Sequence, residues 1–116
     1  MEPLNTMVNG SISLAGYYQD CIPTMVISIK KSDAHGVPYK EGEIVPVSLV
    51  VGSITYNARL RSGPNTPHIK ISAELINKSG ESVRLADVLL GQGFRLKEKV
   101  KMNIQGTTLF IVPAHE

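Results

Sequence analysis

Apolar and polar residues alternate with a period of two through much of the chain. In the segment 25–31 the apolar face consists of Met25, Ile27 and Ile29. The segment 54–61 repeats the pattern, and its apolar face consists of Ile54, Tyr56, Ala58 and Leu60. This period is typical of half-buried β-strands, so both segments are predicted to be strands with one face in a core.

Short turns containing glycine join further strands. The β-branched segment 43–51 leads into Gly52-Ser53, and a glycine in the first position suits a type II′ hairpin turn. A second hairpin is predicted around Gln105-Gly106, and the loop 62–67, with two prolines and a glycine, precedes a short strand over 68–72.

Helical spacing is convincing only over 85–90, where Leu85, Val88 and Leu89 fall on one side. Strands therefore dominate, and regular short strands with Gly and Pro turns favour a small barrel. We predict a mainly β fold, a small open pseudobarrel of about seven strands with one or two short helices. Residues 1–116 form one domain, in which 1–10 are a strand-like or flexible arm.

The composition is that of an ordinary globular protein. Of the 116 residues, 42% are apolar and 19% are charged, which excludes intrinsic disorder. No window approaches the ~18 consecutive apolar residues of a membrane-spanning helix. Residues 1–16 contain no Lys or Arg, so the basic start of a secretory signal is missing. We expect a cytoplasmic protein that does not bind membranes.

Charge is distributed unevenly along the chain. Residues 1–58 hold three lysines against five acidic residues, a net charge of −2. Residues 59–101 hold nine Lys or Arg against four acidic residues, a net charge of +5. Clustered cations on a small domain favour a polyanionic partner. When such cations bind nucleic-acid phosphates, the counterions around the phosphates are released.

Residue patterns that support catalysis are missing from the sequence. The histidines are His35, His68 and His115, and none has the spacing of a metal-binding motif. The single cysteine, Cys21, cannot form an internal disulfide and is expected to be a small buried residue. No phosphate-binding loop or nucleophile motif occurs. We therefore expect a protein that is not an enzyme and has no metal or other cofactor.

Candidate binding residues cluster around the loop 62–67. Arg59 and Arg61 lie two apart on a predicted strand, so both leave the same face, and four polar or basic residues follow: Asn65, Thr66, His68 and Lys70. Side chains of these types hold phosphates and read base edges, and a two-stranded ribbon fits the major groove. The scarce aromatic residues are not interleaved with the basic ones, which favours duplex DNA over single strands.

Several elements near the C-terminus carry a family resemblance. Ile69–Ile71 is followed by the helix Leu-Ala-Asp-Val-Leu at 85–89, by Gly93-Phe94 and by a closing hairpin at Gly106. This order resembles the B3-like DNA-binding pseudobarrel and, more narrowly, the effector domains of some restriction endonucleases. The resemblance covers about residues 54–113.

The resemblance implies duplex DNA binding by two arms that grip the major groove. One arm would lie near Lys30, Lys31 and Asp33, and the other within 59–70. Because the chain has no nuclease domain, the resemblance implies that it acts alone, as a homodimer, or beside a separate catalytic or regulatory subunit.

Two other function classes remain open. A swapped-hairpin transcription regulator also places basic residues on a β-barrel. A small-ligand or protein-interaction β-barrel would use the loop 62–67 as the rim of its binding site. A steep salt dependence of DNA retention is expected for a transcription regulator and for a B3-like domain, but not for a small-ligand or protein-interaction barrel.

Overall fold

A computed structural model of the protein describes residues 6–33, 36–63 and 66–112. Within these residues the strands are β1 (Thr6–Tyr17), β2 (Pro23–Lys30), β3 (Ile44–Val51), β4 (Ile54–Ser62), β5 (His68–Ile71), β6 (Glu74–Ile76), β7 (Ser82–Arg84), β8 (Lys99–Gln105) and β9 (Thr108–Ile111). The same described residues contain one α-helix, α1 (Leu85–Gly91), and a 3₁₀ turn at Lys31–Asp33. The prediction of a mainly β fold is confirmed.

Seven of the strands close into a barrel in the order β3-β9-β8-β1-β2-β5-β4, and β4 pairs with β3 to complete the ring. Strands β6 and β7 extend the sheet from β4. The prediction of an open barrel is therefore wrong. Closure depends on a parallel pairing of β3 with β9, in which Ser48 lies opposite Thr108. No local pattern reveals a pairing between residues so far apart in the chain.

Both predicted hairpins are present. Val51 lies opposite Ile54, and between them Gly52 has a φ of +63°. A positive φ at the first central residue is what a type II′ turn requires. In the second hairpin Gln105 lies opposite Thr108, and Gly106 has a φ of +60°. Glycine adopts this conformation without the steric penalty that a Cβ atom would bring.

The core is a cluster of aliphatic side chains inside the barrel. The alternation predicted for β2, β4 and β5 is confirmed, since Ile27, Leu60 and Ile71 are completely buried. Ile54 is an exception to the predicted apolar face, because 51% of it is exposed. Ile54 is the first residue of β4 and directly follows the hairpin turn.

Strand β1 is longer than its sequence suggests. Thr6–Tyr17 pairs with β2 on one side and β8 on the other, so 6–10 belong to the barrel wall. The predicted arm otherwise lies outside the described residues. Gly10 falls at an inward position, and a Cβ atom there would lie 2.9 Å from Ile27 Cγ2 and 3.1 Å from Met102 Cε. Glycine thus lets β1 approach both neighbours closely.

Helix α1 packs its buried residues Leu85, Ala86 and Leu89 against the core. Its end is closed by two hydrogen bonds, in which Gly93 N–H donates to Leu90 O and Phe94 N–H to Leu89 O. With Gly93 at a φ of +89°, this is a Schellman motif. Phe94, the residue after Gly93, is buried and belongs to the core cluster.

Candidate nucleic-acid interface

Strands β2, β5 and β4 lie side by side and turn a row of basic residues outward. We call Lys30, Arg59, Arg61, His68 and Lys70 the basic face. All are exposed except His68, which is partly buried. They face outward because the residues between them, such as Leu60 and Ile69, point into the core. The structure thus brings together five of the eight predicted site residues.

The register of the strands sets cations directly opposite one another. Arg61 lies opposite Lys70, and Lys30 lies opposite His68. Directly opposite residues on antiparallel strands have Cβ atoms about 4.5–5.5 Å apart, and like charges at that separation are destabilising. In the described part of the chain, Arg61 and Lys70 form no ion pair with an acidic residue. The pair therefore leaves two positive charges available to a ligand.

A groove runs along the basic face. Its larger depression has a volume of about 790 Å³, and its smaller one about 600 Å³. Arg61, Lys70 and Ile44 line both, so the two depressions adjoin at these residues. The larger one has an apolar side formed by Val26, Ile44, Pro46 and Ile76. Glu74 also lines the larger depression and Glu43 the smaller one, so basic, acidic and apolar side chains share this concave surface.

Lys31 has a different role from the basic face. Its Nζ donates hydrogen bonds to Glu41 Oε1 at 3.0 Å and to the Gly63 carbonyl at 2.8 Å. Its backbone N–H donates to the Pro67 carbonyl at 2.9 Å. The ammonium group therefore ties β2 to the loop that follows β4. Phosphate would have to compete with a carboxylate and a carbonyl for it.

The loop after β4 is held by its own hydrogen bonds. Thr66 Oγ1 accepts from Gly63 N–H at 3.2 Å and lies 3.1 Å from the Gly63 carbonyl oxygen, to which it can donate. The buried Ser62 hydroxyl donates to the Lys40 carbonyl at 2.9 Å. The Thr66 hydroxyl thus shapes the loop beside the groove. Asn65 lies outside the described residues.

A clamp that sequence analysis missed adjoins the groove through one of its three residues, Tyr18. Arg84, at the end of β7, donates a hydrogen bond to Asp20 Oδ2 at 2.8 Å and stacks on the Tyr18 ring at 3.8 Å from its centroid. Tyr18 also lines the larger depression. The clamp therefore links the tip of the β1–β2 hairpin to the end of β7.

The clamp responds to acid. The hydrogen bond from Arg84 lowers the pKa of Asp20 below its ordinary value of 3.8. A lowered pKa in the folded state contributes stability above pH 3.8 that is lost as the pH falls through the folded value. We expect Asp20→Asn to lower the melting temperature at about pH 6, and the difference from wild type to vanish near pH 2.

Thermal melts of both proteins at the two pH values test this expectation. Glu43→Gln is the control, because Glu43 is exposed and forms no ion pair in the described part of the chain. A gap between wild type and Asp20→Asn that stays constant with pH would contradict the role of the ion pair.

Cys21 occupies the tip of the same hairpin. It is exposed and has a φ of +68°, so the prediction of a buried cysteine is wrong. The cause is the tight turn, in which Cys21 N–H donates to the Tyr18 carbonyl and Tyr18 N–H to the Ile22 carbonyl, both at 2.9 Å. A residue in such a turn cannot direct its side chain into the core.

Among the described residues, no group of three or more His, Cys, Asp or Glu side chains could hold a metal ion. No helix among them has the length and apolar character needed to cross a membrane.

Comparison with known proteins gives no relative of this chain. No protein-family model matches it, and no curated protein or solved structure shows a significant match.

Proposed function

We propose that the protein binds duplex DNA through the basic face and reads sequence in the major groove, without catalysing a reaction itself. The observation that carries this proposal is the opposition of Arg61 and Lys70 on neighbouring strands. Their mutual repulsion weakens the sheet in the free protein. A polyanion bound to this face removes that repulsion and gains charge-assisted hydrogen bonds.

The size of the basic face supports a duplex as the ligand. Its residues lie on three adjacent strands, β2, β5 and β4. Strands are spaced about 4.8 Å apart, so the face extends about 10 Å across the strands, which matches the rise of about three base pairs along the duplex. The major groove of B-DNA is about 12 Å wide and admits a β-ribbon. Arg59 and Arg61 on β4 would reach base edges, while Lys30 and Lys70 would hold phosphates.

The resemblance to B3-like pseudobarrels adds partners to this proposal. A domain that only binds DNA acts through another activity, which a separate catalytic or regulatory subunit would supply, or through a second copy of itself. We place this activity in the cytoplasm. The proposal gives no role to a cofactor.

The test is a titration of a pool of random duplexes with the protein, in which fluorescence anisotropy measures binding. We expect binding at about 50 mM salt that falls steeply by about 200 mM, because bound cations release counterions. Lys70→Ala should lower the slope of log K against log salt by about one. A matched pool of single strands should bind more weakly.

Lys78→Ala is the matched control for this measurement. Lys78 is exposed in the turn between β6 and β7 and does not line the groove. Its removal should leave the salt slope unchanged. Absence of any duplex binding at low salt would contradict the proposed function.

A small anionic ligand is the second candidate, and the volume of the larger depression favours it. About 790 Å³ lies within the usual range for small-molecule sites, and apolar and basic residues line it together. Under this alternative, duplex DNA would not bind at low salt. Binding of a fluorescent apolar anion would then be lost in Arg61→Ala.

A further inference from the structure

Ile44 is an apolar residue at the centre of the basic groove. Half of it (50%) is exposed, and it lines both depressions beside Arg61 and Lys70. A polar side chain at this position would be well hydrated. Water solvates the exposed isoleucine poorly, so contact with an apolar group of a ligand is favourable. A ligand that fits this site therefore carries an apolar group next to negative charge.

The register places Ile44 beside the arginine proposed to read a base. Ile44 lies directly opposite Arg61, and Lys70 lies opposite Arg61 on the other side. The three residues therefore form one row across β3, β4 and β5. Adjacent strands are about 4.8 Å apart, and successive bases rise about 3.4 Å along the duplex. When Arg61 contacts one base pair, Ile44 falls over an adjacent one.

The major groove offers one apolar group for such a contact. Among the four bases, only thymine presents a methyl group there, at C5. Cytosine methylated at C5 presents the same group. We infer that Ile44 is a specificity-determining residue that contacts the 5-methyl group of a pyrimidine adjacent to the base read by Arg61. This inference rests on the proposed function of the basic face.

The test starts with duplexes selected by the wild-type protein from a random pool. Each selected duplex is then synthesised with thymine or with uracil, which lacks the methyl group. We expect uracil to weaken binding about fourfold, the effect of leaving one methyl group uncovered. In a second arm, 5-methylcytosine replaces cytosine, which distinguishes the two sources of the methyl group.

Ile44→Ala should bind thymine and uracil duplexes equally. Ile54→Ala is the matched control, because Ile54 is equally exposed but lies outside the groove, and it should retain the fourfold difference. Circular dichroism checks that each variant is folded. If Ile44→Ala is not, Ile44→Ser, which also lacks the methyl groups of the isoleucine side chain, replaces it.

The outcomes separate this inference from the proposed function. Failure of the wild type to bind any duplex at low salt overturns the proposed function. Binding with no methyl effect in either arm overturns only the role of Ile44. A methyl effect that persists in Ile44→Ala also overturns it and moves the contact to another residue.

Discussion

Replacement of Leu49 by alanine is expected to lower the free energy of unfolding by about 2–5 kcal/mol. Leu49 is completely buried in β3, opposite Tyr56 of β4 and Leu109 of β9. The substitution removes apolar contacts and leaves a cavity where the barrel closes. Urea denaturation measures the loss as a shift in the midpoint at an unchanged slope.

Ile54→Ala is the control for Leu49→Ala, since it shortens an exposed side chain on the same hairpin. Its effect should stay within about 0.5 kcal/mol. A loss below about 1 kcal/mol for Leu49→Ala would show that β3 and β9 do not enclose this side chain in solution.

Replacement of Arg61 by alanine is expected to remove about 1–3 kcal/mol of discrimination between the selected duplex and random DNA. A guanidinium group can donate two hydrogen bonds to guanine, and Arg61 projects from a strand that is paired on both sides. Such a rigid support keeps the donor geometry fixed. Competition binding with both DNA types measures the change.

Lys70→Ala provides the contrast, because an ammonium group on phosphate contributes equally to every sequence. It should weaken selected and random duplexes by the same factor. Equal losses for Arg61→Ala would instead assign Arg61 to phosphate binding, and specificity would then lie elsewhere on the basic face.

Local pattern accounts for most of the barrel wall. The alternation around Ile27, Leu60 and Ile69 reflects strands with one buried face, and such strands can be predicted one at a time. The full length of β1 could not be predicted in this way, because its inward position at Gly10 carries no side chain and interrupts the apolar alternation. The β3–β9 pairing escapes it because the sequence of neither strand specifies a distant partner.

The candidate site was predictable to the same extent. The alternation on β4 and β5 predicts that Arg59, Arg61 and Lys70 face outward, and all three are exposed. Local spacing could not show that Lys31 is paired with Glu41, or that Arg84 crosses to Asp20. Ile44 was overlooked because an isoleucine at the start of a strand is ordinarily assigned to the core.

The closed ring of strands also affects synthesis of the chain. Strands β8 and β9 are made after the other seven, yet they supply the partners of β1 and β3. Until they emerge from the ribosome, both of those strands have an unpaired edge, which can associate with other chains. The nascent protein is therefore most exposed to aggregation just before the β8–β9 hairpin appears, and that hairpin covers both edges in one step.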